Sequence, residues 1–375
     1  GGPFSALEVQ SFLDELVAAR SDPAAWAALC GPGADGPVKD LDVLRANLAQ
    51  LDVTLRPAAR THTPTPSYTR RPTSTPEPTY QASLEGAVVH AVQVDWAVPG
   101  QPKARQTISL ALSRVDDRIV LVGLPEPAST AQPEPLWLRQ PIRVADAGPD
   151  AVLVAGEGDP QPWLTGLAVS RATLMARRLE PPPITVQLPA AAADFEAVLG
   201  VRPGSHRAVA ATTWPFGETA HIVVNPESSS ALSDPARQVL LTHEAVHVAT
   251  GAAYGRRGNG PLWWSEGYAD LVALAAHPEI ASAHEAHLIT DQRRHGISSR
   301  LVSDQDLSAD NARLDAHYAR AWFTVRLLDG GAGTADRVQA AIHRGVTLED
   351  ALRAEGWSTQ TLAAAVEADL TRLAG

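Results

Sequence analysis

The stretch Leu240-Leu241-Thr242-His243-Glu244-Ala245-Val246-His247-Val248 decides how the second half of this chain is read. If 234–251 is a helix, its two histidines, four positions apart, lie one turn apart and about 40° offset on one face, within reach of a single ion. Glu244 points about 100° further round, which sets a carboxylate beside such an ion and not on it, where a general base belongs. The helix has local support. Ser233 or Asp234 can cap it, Pro235 suits the first turn, and Val239, Leu240, Val246 and Ala249 supply an apolar stripe. Gly251, Gly255, Gly258 and Gly260 then end it and open a loop.

A second acid follows in Trp263-Trp264-Ser265-Glu266-Gly267-Tyr268-Ala269-Asp270. A helix starting near Pro261 would carry Glu266 and Asp270 one turn apart. With 12 histidines in 375 residues, the bare His-Glu-x-x-His pattern arises by chance in roughly a few per cent of such chains. Its place in a capped helix, and the acid that follows, argue against chance. A structural metal site usually fills all four positions, commonly with cysteines, whereas His243, His247 and Glu266 leave one position open for water. Zn²⁺ is the expected cofactor.

These two segments resemble the gluzincin zinc metallopeptidases, the thermolysin and aminopeptidase clan, in which a downstream glutamate is the third ligand. Glu266 lies 19 positions after His247, and that spacing, with Trp263 before the acid and Gly267 and Ala269 after it, is similar to the aminopeptidase-like branch. The resemblance covers 137–375 and is specific only in 239–251 and 261–272. It implies that Asp270 accepts a hydrogen bond from a ligand histidine, His243 for preference, and fixes its tautomer. It also implies peptide-bond hydrolysis by a water that the metal activates, with Glu244 as general base. The metzincin pattern does not fit, because Thr250 and Ala253 stand where a glycine and a third histidine are needed. The amine-binding Gly-x-Met-Glu-Asn stretch of the aminopeptidases has no match in Gly217–Asn225, so an endopeptidase-like or narrow specificity is expected.

Two further roles are assigned. Attack on a carbonyl creates an oxyanion that needs a donor besides the metal. Tyr318, near the start of a helix with Trp322, Val325 and Leu328 as its apolar face, is the first choice, as the resemblance loosely implies, and His317 the second. Ala220–Val224 reads as a strand, and its residues Ile222 and Val223 are candidate substrate-binding positions if that strand is an edge to which an extended peptide adds. Otherwise it is simply a packed strand. His284 and His287 have one residue too few for the motif and read as a solvated helix face. His90 shares strand parity with Val92, Val94 and Trp96 and reads as packed in a sheet.

At this length two domains are expected. Phe12, Leu13, Leu16 and Val17 at helical spacing, Leu41, Leu44, Leu48 and Leu51 as a second helix, and alternating strands around 92–98, 107–113 and 119–124, with a turn at Asp116-Asp117, describe a small α+β domain over 1–127. It is weakly similar to the nuclear-transport-factor and cystatin-like cones. A threonine- and proline-rich loop, 61–79, cannot contribute to a core. A linker is placed at 128–136, before a gluzincin-like domain over 137–375 whose carboxy-terminal half is mostly helical. The fold class is therefore α+β.

Forty-two acidic against 31 basic residues, a net charge of −11, disfavour nucleic acid or an anionic membrane as the target, and the expected partner is a peptide or protein substrate. Cys30 is the single cysteine, so no intrachain disulfide forms. No run of 18 apolar residues marks a transmembrane helix. A chain that opens on Gly1 is read as processed, with a signal peptide or membrane anchor removed upstream. An exported bacterial protein, extracellular or at the cell surface, is the expectation, with a cytoplasmic enzyme as the alternative. The alternative function is an exported binding or scaffolding protein whose peptidase-like domain is catalytically silent.

Overall fold

A computed structural model of the chain describes residues 4–31, 38–58, 87–125, 132–254, 260–308 and 311–375. The threonine- and proline-rich loop at 61–79 and the first part of the expected linker lie outside them. The class is α+β, with sheets in the amino-terminal part and helices in the carboxy-terminal half. Two compact units divide the chain: Gly1–Leu164 with Pro183–Ser230, and Thr165–Pro182 with Ala231–Gly375.

The first unit begins with helices α1 (Ala6–Ala19), α2 (Pro23–Leu29) and α3 (Val38–Leu48). Ser5 and Glu8 cap α1 reciprocally, and its face Val9, Phe12, Leu13 and Leu16 is buried, as the spacing requires. Four antiparallel strands follow in the order β1 (Asp52–Pro57), β2 (Val88–Ala97), β3 (Ala104–Val115) and β4 (Arg118–Gly123). Asp116 and Asp117 join β3 to β4 with φ of 48° and 61°, the left-handed pair of a primed two-residue turn, whose twist matches that of the strands it connects. His90 is buried and rests against Phe4, as its parity predicts.

A second, mixed sheet belongs to the same unit, and this corrects the expected boundary at 128–136. Strands β5 (Ile142–Ala147), β6 (Asp150–Ala155), β7 (Thr185–Leu188), β8 (Ala211–Phe216) and β9 (Thr219–Val224) pair in the order β5-β6-β7-β9-β8. One hydrophobic core runs through both sheets. Trp137 meets Trp96 edge to face at 5.9 Å, and Trp96 in turn meets His221 at 5.3 Å. Buried Asn47 ties the connection down: its side-chain amide donates to the carbonyls of Trp137 and Gln140 and accepts from the Ile142 N–H. Residues 132–138 are thus packed chain, because cutting there would expose Leu136, Trp137 and Leu138.

The second unit is helical. It takes the greater part of α4 (Gln161–Ala176), while α5 (Ala192–Leu199) and α6 (Pro226–Ser229) stay with the first unit. Then come α7 (Asp234–Thr250), α8 (Leu262–Leu274), α9 (Pro278–His295), α10 (Leu314–Asp329), α11 (Thr334–His343), α12 (Leu348–Ala354) and α13 (Thr359–Ala374). Helix α7 is built as its sequence predicts, with the Ser233 hydroxyl accepting from the Ala236 N–H and Gly251 closing it at φ 71°. Its buried stripe differs: Leu241, Ala245, Val246 and Val248 are buried, whereas Val239, Leu240 and Ala249 are only half-buried. The close neighbour explains the shift. Gly166 of α4 lets Leu241 approach, and Ser170 bonds Thr242 at 2.9 Å, so α7 turns that side inward.

Candidate metal centre

Helices α7 and α8 bring three donors together. His243 and His247 each offer Nε2, 3.0 Å apart, and Glu266 Oε2 lies 3.1 Å from the first and 3.3 Å from the second. All three side chains are largely buried. His243 lies inside α7, and His247 lies in its last turn, where the Gly251 N–H caps the His247 carbonyl. Asp270, one turn after Glu266, faces the other nitrogen of His243: a carboxylate only accepts, so Nδ1–H donates to Oδ1 at 2.8 Å. That bond fixes the tautomer and leaves the Nε2 lone pair aimed at the other two donors.

The arrangement fits a divalent ion. Three acceptor atoms at 3.0–3.3 Å repel one another unless a shared cation lies among them. A proton relieves one pair at a time; an ion relieves all three. Donors around a tetrahedral zinc, with bonds of about 2.0–2.1 Å, stand roughly 3.3 Å apart, close to the observed edges. The electrostatics agree. Burial works against a charged His243, yet the carboxylates of Asp270 and Glu266 outweigh it and hold the ring well above the ordinary imidazole range. Burial likewise opposes a charged Glu266, but His247 and His243 keep it well below the usual carboxylate range. These carboxylates therefore favour a positive charge at the cluster, a proton that a bound ion would displace.

Glu244 is 6% exposed, on the same helix as the histidines and not among the three clustered donors, as the helical offset requires. Tyr318 stands on α10, half-buried. Burial raises its hydroxyl pKa first, and the charges of Glu266, Asp270 and Glu244 raise it further, so it stays protonated as a donor. His317, the second choice, is depressed by burial, and the charges that act on it are those of Asp306, Arg313, Asp291 and Arg300. It belongs to a different cluster. Gly267 explains how α10 comes so near: a Cβ there would lie 2.5 Å from the Ala321 carbonyl oxygen, so only glycine admits this helix contact, one turn from Tyr318.

Sequence misread one supporting residue, His284, and did not single out two others, Ser265 and Asp304. His284, read as part of a solvated face, is largely buried instead, with Nε2 3.8 Å from Asp270 Oδ2 and its ring edge-on to Trp322 at 5.3 Å. The signal was its row on α9, Ile280, His284, Leu288 and Gln292, of which the last two are buried. Ser265 Oγ lies 3.4 Å from His247 Nδ1. Asp304 accepts from the Leu262 N–H at 3.1 Å and caps α8, whose own cap residue, Pro261, has no side-chain donor or acceptor to offer. That loop is held in turn by Asp306, which Arg300 and Ser303 bind.

Ile222 and Val223 do not keep the role given them. They lie in β9, which is hydrogen-bonded to β7 on one side and β8 on the other, and both are fully buried. A strand with both edges paired has no main-chain groups left for a peptide. The edges of that sheet are β5 and β8.

Asp270→Asn should weaken binding of one Zn²⁺ about 10- to 100-fold by competition with a chromophoric chelator, because the amide no longer selects the tautomer with Nε2 free. Unchanged affinity would show that Asp270 does not orient His243. Comparison of the chain with models of known protein families gives no match, and comparison with curated proteins gives none either. Among the described residues no helix is long and apolar enough to cross a membrane.

Proposed function

We propose that this chain is a zinc-dependent peptidase of the gluzincin type, with His243, His247 and Glu266 holding the metal. The observation that carries the reading is the convergence of these three buried donors, with Asp270 behind one of them and Glu244 on the helix between them. Bound there, the ion would polarise a scissile carbonyl and lower the pKa of a water to about 7.

The chain's own residues do the rest. Glu244 takes the proton of the attacking water and passes it to the departing nitrogen, so that the amine leaves neutral. Tyr318, kept protonated by burial and by the carboxylates around it, donates a hydrogen bond to the oxyanion of the tetrahedral intermediate. Asp270 holds the His243 ring while charge shifts beside it. Gly217–Asn225 lacks the Gly-x-Met-Glu-Asn pattern that binds a substrate's free amine, which favours cleavage within a chain over removal of terminal residues.

Elemental analysis of the purified protein, together with digestion of a mixed peptide library read by mass spectrometry, tests the proposal. About one zinc per chain and chelator-sensitive internal cleavage are expected. A chain that binds zinc but leaves every peptide intact, or one that binds no metal at all, would remove the peptidase reading and point to the silent binding protein instead.

A further inference from the structure

The second unit holds a cavity of about 740 Å³ that the proposed chemistry does not use. It is within the range of small-molecule sites. Thr250 at the end of α7 and Tyr268 of α8 form one wall, the turn after α4 another, and α11 with its ends the third. None of the three metal donors lines it.

Its charge is the reverse of the chain's. Arg177, Arg178, Arg337 and Arg344 line it, with His343, against only two carboxylates, Glu180 and Asp336, in a protein of net charge −11. Asp336 is already engaged, accepting from Tyr268 Oη at 2.9 Å and from Arg177 at 3.0 Å. Arg337 is held by Glu355 at 2.8 Å. Among the described residues Arg178 and Arg344 form no ion pair.

Arg178 also sits where an arginine is out of place. The Leu179 N–H bonds the Leu174 carbonyl and the Arg178 N–H bonds that of Met175, which makes Arg178 the left-handed residue of a Schellman cap, at φ 61°. Glycine takes that position without strain; arginine does not. A strained backbone that presents a charge to a cavity is an observation that points to binding.

We infer that this cavity is a binding site for a small anion carrying two or more negative charges, gripped by Arg178 and Arg344. Guanidinium forks match phosphate and carboxylate oxygens alike, so the shared chemistry is the multiple charge. Tyr268 is two residues from Glu266, and its hydroxyl is bonded to the cavity's Asp336, so the ligand would rest against the helix that carries a metal donor.

Calorimetric titration of the full chain with inorganic pyrophosphate, and separately with citrate, tests this without reference to metal or activity. Saturable binding of one or both, weakening as salt rises, is expected. The response to each probe tells phosphate from carboxylate ligands. Arg178→Gly and Arg344→Gln should each weaken binding about tenfold or more, while Arg118→Gln, an exposed arginine of the first unit, should leave it unchanged. Arg178→Gly relieves the backbone strain, so its thermal midpoint should not fall, and lost binding cannot then be blamed on unfolding. Absence of saturable heat with both probes, or binding by the two cavity variants equal to that of Arg118→Gln, would overturn the inference.

Discussion

Glu244→Gln is expected to bind zinc like the unaltered chain and to lose turnover by about 10²- to 10⁴-fold, the usual contribution of a positioned acid–base group. The substitution keeps the shape of the side chain and its place on α7, and Glu244 is not among the three clustered donors, so the metal stoichiometry should stay at one. Only the proton acceptor is removed. In kinetic terms kcat falls while KM stays near its original value, because the carboxylate acts on the proton and not on the resting substrate. Full hydrolysis by the glutamine variant would remove Glu244 from the mechanism; loss of zinc would make it a ligand.

The second large effect is expected at Gly267. An added Cβ there would meet the carbonyl carbon of Ala321 at 2.7 Å and Val325 Cγ2 at 2.9 Å, besides the oxygen already noted. Backbone cannot step aside as a flexible side chain can. Gly267→Ala should therefore push α10 away from α8 and destabilise the second unit by about 1–3 kcal/mol, the ordinary cost of overpacking, set against a small gain from removing a glycine in a helix. The catalytic consequence is separate. Tyr318 lies one turn before Ala321, so its hydroxyl moves with that helix, and kcat should drop even where the variant remains folded. Thermal denaturation and peptide hydrolysis at a temperature well below the midpoint measure the two effects. A variant as stable as the original would mean that the helices are not in contact as described.

What the sequence makes legible here is the chemistry that acts over one or two turns. Ser233 and Gly251 bracket α7 by local hydrogen bonds, and the offsets of His243, Glu244 and His247 follow from helix geometry alone, so the donor pair and its neighbour are readable. The same logic, a short polar cap followed by proline, marks α2 at Asp22-Pro23, yet its seven residues are too few for an apolar period to stand out. Strand pairing is not local. Nothing in Thr219–Val224 tells an edge from an interior strand, because the answer lies in β7 and β8, far away in the chain. The division into units escaped for the same reason: Trp137 joins the first sheet's core through Trp96, a contact that composition around residue 130 does not announce. His284 was hidden by its motif-like neighbours, which drew attention to its spacing and away from its helical row.

The two helices that carry the donors are each anchored by their own packing, and among the described residues the connection that joins them supplies none of the clustered donors. The number of residues between His247 and Glu266 is then a property of that connection. It can lengthen or shorten over generations without disturbing a single coordinating atom, since closing a longer loop costs only slightly more. Proteins sharing this centre would thus diverge first in the gap and last in the two helical turns, and kinship among them would be written in the pattern of each turn rather than in the distance between turns.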